Sequence, residues 1–417
     1  MNLNIKLLLI FSNIIPISCT FAAGLDRSGQ SVSAFLQPGN YFEAGISVVD
    51  PTIDGKANAK NGGGHISDMA ESYYFPHSAI KFQMNNKFSL GVLYDEPFGA
   101  NGAYSISDPL ITSDSGLFYT NQQNTKVDAS TENLSLLIGY QPNKYWNLFI
   151  GGAYQTFQTN IQIRGTAFGG NAAFGEYNAN MQEDDAKGFI GGISYQIPEK
   201  ALRATITYRS EIKHLLTTNE FGHSTILGEA SMNPTDADFN QVSKTDITMP
   251  QSINLDFQSL IAPKTVLLSS IRWGDWKNFS FRPQVFGQIS EALGDSGKAP
   301  ANPEGFDLLR YKNDQISATL GLAYSFNSKW TGNTSVLWDS GTGNPNSTLG
   351  PTKGYWGIGG GLQYSPLSQY FISGGIKYFK IGDADAQTAS MYGTDHSIAK
   401  FEKNNSWGYG LKIGYRF

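Results

Sequence analysis

The chain has 417 residues and a net charge of −5, with 16% charged and 13% aromatic residues. Charged residues make up about 25% of an average soluble protein, and this modest negative charge offers no surface for binding nucleic acid. The length alone suggests about three domains, but no linker divides the chain. The composition therefore excludes nucleic-acid binding and gives no sign of separately folded soluble domains.

The first residues have the features of an export signal. Lys6 precedes the short apolar stretch Leu7–Ile17, and the small residues of TFAA offer a cleavage site between its two alanines. This stretch is too short to cross a bilayer as a helix, and no longer apolar run follows it. We therefore predict a signal peptide over residues 1–22. It contains Cys19, the only cysteine, so the mature chain would have no disulfide, thiolate metal site or cysteine nucleophile.

The segment that follows, LDRSGQSVSAFLQPGN at residues 25–40, lacks a clean two-residue period. The strands that come next indicate a barrel whose lumen is too wide for side chains alone to fill. We predict that residues 23–40 form a plug inside this lumen, with Phe35, Leu36 and Pro38 near its end. A disordered periplasmic tail is the alternative.

Segments with a two-residue period then recur to the end of the chain. The last of them is the clearest, because Trp407, Leu411 and Phe417 share one face while Gly410 and Lys412 share the other. We predict about fourteen strands, near residues 41–50, 78–85, 88–96, 130–140, 146–158, 187–197, 202–213, 247–260, 265–273, 315–326, 330–338, 355–364, 370–380 and 406–417.

The connections between these segments alternate in length. NNK, QPNKY, PEKA, APK, NSK and PLSQ are tight turns, and long polar segments lie between them. Compact soluble domains rarely contain such long loops, whereas outer-membrane barrels combine short periplasmic turns, long extracellular loops and an even strand number. Tyr and Trp also cluster at strand ends, as at a membrane interface. We therefore predict an all-β fold, a transmembrane antiparallel β-barrel over residues 41–417, with a soluble sandwich or solenoid as the alternative.

Cationic side chains lie on the predicted lumen face of the seventh strand, ALRATITYRSEIK. In this pattern Ile212 faces lipid, while Arg203, Arg209 and Lys213 project inward. Such cations can hold a carboxylate head group. Alternatively, they only pair with Glu211 and other acids of a water-filled lumen.

The third and fourth extracellular loops contain more apolar residues than exposed loops need. Clusters on neighbouring loops predict an apolar ligand groove, and loop-on-loop packing is an equally weighted alternative. The residues are Phe168, Phe174, Tyr177, Met181, Phe221, Ile226, Leu227 and Met232.

No pattern indicates catalysis, a cofactor or a metal centre. The five histidines form no i,i+4 pair, and the glycine pairs lie inside strands without a following helix. Asp383, Asp385 and the acidic run at residues 183–185 match no complete calcium loop. We expect neither an enzyme nor a cofactor-binding protein.

Several segments together resemble the long-chain fatty acid transporters of the Gram-negative outer membrane (FadL type), whose relatives pass aromatic hydrocarbons. They are AGISVVDPTIDG, KGFIGGISYQIPEKALRATITYRSEIKH, MPQSINLDF, SSIRWGDWKNF, NDQISATLGLAYSFNSKW and WGYGLKIGYRF. The resemblance implies a fourteen-stranded barrel with an N-terminal hatch, ligand capture between the third and fourth extracellular loops, and sideways exit at a kinked third strand. The kink maps to YDEPFG, because Pro97 cannot donate to a ladder. The family's hatch commonly carries Asn-Pro-Ala, whereas this chain has FLQPGN.

The functional expectation is a passive channel, located in the outer membrane of a Gram-negative cell, for uptake of hydrophobic small molecules. Long-chain fatty acids are the leading substrate; the alternative is a general or hydrophile-selective porin. Expected partners are outer-membrane lipid, lipopolysaccharide and the barrel-assembly machinery, which would read the strand ending at Phe417. The resemblance implies a monomer. An apolar groove discriminates methylenes by only about 1–3 kcal/mol, so the sequence does not separate fatty acids from alkanes or aromatics.

Overall fold

The computed structural model describes residues 25–106, 115–233, 237–299, 301–389 and 396–417. The predicted signal peptide lies outside these ranges. Within them, no helix has both the length and the apolar content that crossing a bilayer requires.

Fourteen antiparallel strands form a closed barrel, in which each strand pairs with its neighbours in the chain and the last pairs with the first. Three of them, β3, β7 and β8, are interrupted and consist of two segments each. The strands are β1 Tyr41–Thr52, β2 Tyr73–Gln83, β3 Phe88–Asp95 and Gly99–Ala103, β4 Lys126–Asn143, β5 Trp146–Arg164, β6 Glu176–Ile197, β7 Leu202–Arg209 and Ile212–His223, β8 Asp238–Met249 and Ser252–Ala262, β9 Thr265–Gly274, β10 Gln315–Ser325, β11 Trp330–Asp339, β12 Tyr355–Tyr364, β13 Tyr370–Ile381 and β14 Asn405–Arg416.

The connections between the strands contain short elements of their own. The α-helices are α1, Thr225–Ala230, and α2, Gln284–Asp295. Short strands are Gly55–Ala57, His65–Ile66, Tyr119–Thr120, Gln123–Asn124, Ser280–Phe281, Leu309–Arg310, Asn346–Ser347, Ala384–Gln387 and Ala399–Phe401, and the 3-10 turns are Ala59–Asn61, Thr166–Phe168, Gly170–Ala172, Pro198–Lys200 and Trp276–Asn278.

Alternate side chains along each strand point to the outer and inner faces of the barrel wall. In β14, Trp407, Tyr409 and Leu411 are exposed on the outer face, whereas Lys412 is buried on the inner face and donates to Glu43 Oε2 at 2.9 Å. Aromatic pairs from adjacent strands lie on the outer face near the short turns. Their ring centroids are 4.8 Å apart for Trp146–Tyr195, 4.7 Å for Trp330–Tyr364 and 4.6 Å for Tyr370–Tyr415. The predicted fold class, a fourteen-stranded barrel with a plug, is confirmed.

The strands differ from the predicted ones mainly in length at the loop side. β6 starts at Glu176 rather than near residue 187, and β4, β5, β7 and β8 are also longer than predicted. The extension of β6 contains the polar run Gln182–Asp185. A strand with polar residues on both faces has no apolar alternation, so its pattern does not reveal it.

The orientation predicted for the end of the seventh strand is wrong. Lys213 lies on the outer face with a side chain that is 73% exposed, and it pairs with Glu211 at 3.1 Å. Ile212, predicted to face lipid, is buried on the inner face. The cause is the break at Ser210 and Glu211, because Arg209 and Ile212 both point inward and the alternation shifts by one residue between them.

Candidate functional site

The plug lies inside the turn-side half of the barrel. Phe35 is 1% exposed and packs against Phe149 with ring centroids 5.9 Å apart. Its ring fits there because Gly91 and Gly139 have no side chain. A Cβ on Gly91 would lie 2.4 Å from Phe35 Cδ2, and one on Gly139 would lie 2.9 Å from Phe35 Cζ. Leu36 is also buried, and Pro38 is exposed at the end of the plug.

Cationic side chains of the wall hold the backbone of the plug. Arg203 donates to the Leu36 carbonyl at 3.1 Å, and Arg209 donates to the Gln30 carbonyl at 3.1 Å. Lys81 donates to the Gln37 carbonyl at 2.6 Å. These bonds stabilise the plug without depending on its side chains.

The wall has a first opening in its ladder between β2 and β3. The pairing of these strands ends at Ser78–Tyr94, so residues 73–77 of β2 face no β3 partner. Closer to the loop side of the barrel, a single bridge joins Ala70 to Gly102. We call the stretch between these two contacts the β2–β3 window. Pro97, the predicted kink residue, lies where β3 is interrupted, at residues 96–98.

The start of the plug takes the place of β2 at this window. The Arg27 N–H donates to the Pro97 carbonyl at 2.6 Å, and the Gly99 N–H donates to the Leu25 carbonyl at 2.8 Å. Asp26 and Phe98 form the antiparallel bridge between these bonds. The plug and the kinked strand are therefore joined through their backbones.

The side chain of Arg27 lies inside the same window. Its guanidinium carbon is 4.2 Å from the centroid of the Tyr73 ring, and it donates to Asn101 Oδ1. Burial lowers the pKa of Arg27, and the carboxylates of Glu96 and Asp128 offset part of this effect. The window is thus covered from inside by a charged side chain that belongs to the plug.

Arg209 has no acidic partner, unlike Arg272, which also contacts the plug. Arg272 pairs with Asp26 at 2.6 Å, whereas the hydrogen bonds of Arg209 go to Gln30 and to Ser135 Oγ, at 3.3 Å. Among the described residues, no carboxylate lies within ion-pair distance of Arg209. Asp95 and Asp26 act on Arg209 only from beyond ion-pair distance. A buried charge without a direct ion-pair partner is costly, so this position favours an anion.

A small cavity lies beside Arg209. Three buried polar atoms of its lining have no hydrogen-bond partner among the described residues, namely Arg209 Nε, Gln155 Nε2 and Asn133 Oδ1. Apolar side chains, including Phe98 and Met249, and the polar residues Gln30 and Ser210 complete the lining. Two free donors, Arg209 Nε and Gln155 Nε2, can bind one carboxylate in this partly polar cavity.

The residues of the predicted groove lie in and below the loops, mostly inside a packed apolar core. Phe168, Phe174, Tyr177, Met181 and Ile226 are buried, Phe221 and Leu227 are half-buried, and Met232 is 92% exposed. Helix α2, from the loop between β9 and β10, covers them, and the Phe286 ring stacks on Phe174 at 4.3 Å. In the described residues this arrangement is the loop-on-loop packing that we considered as the alternative to a groove.

Sequence reasoning missed Glu220, which anchors this cover. Its carboxylate is fully buried and accepts hydrogen bonds from the Val285 N–H at 2.9 Å, the Phe286 N–H at 2.8 Å and the Tyr177 hydroxyl at 2.8 Å. A carboxylate at a helix N-terminus accepts hydrogen bonds from free N–H groups and interacts favourably with the positive end of the helix dipole. The spacing of Val285, Phe286, Ile289 and Leu293 is helical and could have indicated α2.

The acidic residues considered for calcium have protein partners instead. Asp385 accepts from Asn344 Nδ2 at 2.9 Å, Asp383 accepts from the Lys403 N–H at 3.2 Å, and Asp184 lies 3.2 Å from His214 Nδ1. No group of three or more potential metal ligands occurs in the described part of the chain.

Known proteins share this architecture. The toluene transporter TodX of Pseudomonas putida aligns with a TM-score of 0.63 and 13% identity over 92% of this chain and 91% of its own. The toluene transporter TbuX of Ralstonia pickettii gives 0.57 and 12% over 96% of both chains. The monoaromatic hydrocarbon channel CymD gives 0.54 and 11% over 91% of this chain and 89% of its own.

These identities are low, so the alignments establish the fold alone. No curated protein sequence matches the chain. A family model, described as outer membrane protein transport protein (OMPP1/FadL/TodX), matches residues 32–417. The chain therefore belongs to the OMPP1/FadL/TodX family of outer-membrane transporters of hydrophobic compounds.

Proposed function

We propose that this protein is a passive, monomeric outer-membrane channel that takes up hydrophobic molecules with a carboxylate head group. Long-chain fatty acids are the leading substrate. The observation that carries this proposal is Arg209, a buried guanidinium with a free Nε donor, a second free donor at Gln155 and no acidic partner. A fatty acid would place its carboxylate at these donors and its chain among apolar side chains.

The obstruction of the lumen at both ends supports a selective channel over a general porin. The plug occupies the turn side of the barrel, and the loop core with helix α2 occupies the other end. A wide aqueous pore requires an open path past both. We therefore expect little steady ion conductance from this protein.

The energy for capture comes from the ligand itself. An acyl chain gains about 0.8 kcal/mol for each methylene that leaves water, so apolar side chains at the loop end can collect it without an energy source. We propose that the loop residues Phe168, Phe174, Tyr177, Met181, Phe221, Ile226, Leu227 and Met232 supply this surface after α2 moves aside. The ligand then passes Arg209 and leaves through the β2–β3 window when Arg27 withdraws.

The substrate is proposed from this chain's own residues rather than from its structural neighbours. TodX and TbuX are described as toluene transporters and CymD as a monoaromatic hydrocarbon channel, and toluene has no anionic group for the free Nε donor of Arg209 to bind. An unpaired guanidinium in the lumen favours a ligand that carries a negative charge.

Binding of oleate and of oleyl alcohol to the purified protein tests the role of Arg209. We expect Arg209→Ala to weaken oleate binding by far more than binding of the alcohol. Arg203→Ala is the matched control, because Arg203 also donates to a plug carbonyl but does not line the Arg209 cavity. Equal weakening of both ligands, or equal effects of both substitutions, would remove the carboxylate role.

A further inference from the structure

The wall has a second stretch without ladder pairs, between β6 and β7. Their pairing runs from Glu176–His223 to Met181–Thr218, stops, and resumes at Ile190–Arg209. Residues 182–189 and 210–217 therefore have no ladder partner across this boundary, although each segment pairs with the strand on its other side. We call this stretch the β6–β7 window.

One backbone bond crosses this window, from the Ser210 N–H to the Phe189 carbonyl at 3.0 Å, and side chains supply other bonds. The Leu215 N–H donates to Asp184 Oδ2 at 3.1 Å, and the Phe189 N–H donates to Ser210 Oγ at 2.9 Å. Backbone groups in a membrane wall must have partners, and side chains can release them by changing rotamer. A ladder gives no such freedom.

One edge of the window, β7, and its next neighbour, β8, are both interrupted at this height. β7 is interrupted at Ser210 and Glu211, and β8 is interrupted opposite, at Pro250 and Gln251. Pro250 has no N–H to donate, so the β7–β8 ladder cannot continue through it. The strand on one side of the window is therefore not held straight by its next neighbour.

The window leads to the Arg209 cavity. Phe189 and Ser210 form its lower rim, and the same two residues line the cavity, together with Ile212 and Arg209. Phe189 is 54% exposed on the outer face. One pair of residues thus separates the outside of the barrel from the cavity.

The rim of the window is predominantly acidic. Glu183, Asp184, Asp185 and Glu211 lie in its two segments, against the basic residues Lys187 and Lys213. In contrast, the β2–β3 window is covered by the cationic Arg27. A negatively charged rim disfavours a departing carboxylate and leaves an uncharged molecule unaffected.

From these contacts we infer that the β6–β7 window is a second lateral exit, which releases uncharged hydrophobic molecules from the Arg209 cavity into the outer part of the membrane. This inference rests on the proposed uptake of hydrophobic molecules. It adds that charged and uncharged ligands leave by different windows.

Reversible cross-linking of each window tests this inference in whole cells. The pair Lys187→Cys and Lys213→Cys spans the β6–β7 window, and Tyr74→Cys with Glu96→Cys spans the β2–β3 window. The matched control is Tyr154→Cys with Lys187→Cys, because these residues already face each other in the intact β5–β6 ladder. A bifunctional thiol reagent closes each pair, and a reducing agent reopens it. Uptake of labelled oleyl alcohol and of oleate is measured in each state.

We expect closure of the β6–β7 window to reduce uptake of oleyl alcohol, with recovery on reduction, and to leave oleate uptake at the control level. Closure of both windows should abolish alcohol uptake. Alcohol uptake that is unaffected by the 187–213 cross-link, or abolished by the 74–96 cross-link alone, would overturn the inference. If the uncross-linked barrel accelerates uptake of oleate but not of oleyl alcohol, relative to cells without the barrel, the inference is overturned and the proposed function stands. No acceleration of either ligand by the open protein would refute both.

Discussion

The guanidinium carbon of Arg27 lies 4.2 Å from the centroid of the Tyr73 ring, within the gap between two strands of the barrel wall. One residue belongs to the plug and the other to the edge of β2, so this cation–π contact links the plug to the window. Such a contact contributes about 0.5–2 kcal/mol. It adds to the backbone bonds that join the start of the plug to β3.

Removing the Tyr73 ring should loosen the start of the plug. We expect Tyr73→Ala to raise amide hydrogen exchange in residues 25–28 by roughly two- to thirtyfold, which corresponds to the loss of about 0.5–2 kcal/mol. Tyr74→Ala is the control, since that side chain points outward and is 67% exposed. Unchanged exchange in the Tyr73 variant would show that the ring does not retain the plug.

Filling the space beside Phe35 should displace the other end of the plug. The Cβ of Gly91→Ala would lie 2.4 Å from the Phe35 ring, whereas the Cβ of Gly152→Ala would have no atom within 4 Å. Overpacking of this kind costs about 1–3 kcal/mol. We expect brief ion-conducting openings in planar bilayers for Gly91→Ala and not for Gly152→Ala. Equal, low conductance of the two variants would show that the close packing of Phe35 on Gly91 does not keep the plug in place.

The faces of most strands could be predicted because a membrane wall imposes one simple pattern. In β14 every second side chain meets the outside, so Trp407 and Leu411 are separated from Lys412 by alternation alone. The same rule failed at Lys213, where the break at Ser210 shifts the alternation. A strand break has no periodic signal, and local composition does not reveal it.

The candidate site was less predictable because its contacts join distant parts of the chain. Arg209 was predicted to face the lumen, but its bond to the Gln30 carbonyl depends on how the plug folds back. The two windows result from unpaired backbone, which no residue type encodes. Pro97 is the exception, since its missing N–H indicates an interruption directly.

Replacing Glu220 should release helix α2 from the loop core. Each carboxylate oxygen of Glu220 accepts a hydrogen bond from a backbone N–H, so in Glu220→Gln the amide nitrogen must face one of these N–H groups. An unsatisfied buried group costs about 1–3 kcal/mol, and amide exchange at Val285 and Phe286 should rise accordingly. Glu176→Gln is the control, because the bond of Glu176 with Asn121 is exposed. Equal exchange in both variants would argue against this anchor.

The terminal aromatic residue should matter for assembly more than for stability. Phe417 is half-exposed, with its ring 6.0 Å from Phe82 and 5.5 Å from Tyr415. If the assembly machinery reads this end, Phe417→Ala will reduce the amount of folded barrel in the outer membrane while the purified barrel melts normally. Phe326→Ala is the control, since Phe326 has a similar exposure near another turn. Similar yields of both variants would exclude recognition through Phe417.

The most direct measurement is the initial rate of labelled oleate uptake by cells that lack their own transporter and contain this barrel. We predict that uptake rises with the amount of wild-type barrel, falls strongly with Arg209→Ala and remains near the wild-type rate with Arg203→Ala. A rate no higher than that of cells without the barrel, together with a steady open-pore conductance in bilayers, would contradict the assignment of a channel for hydrophobic molecules.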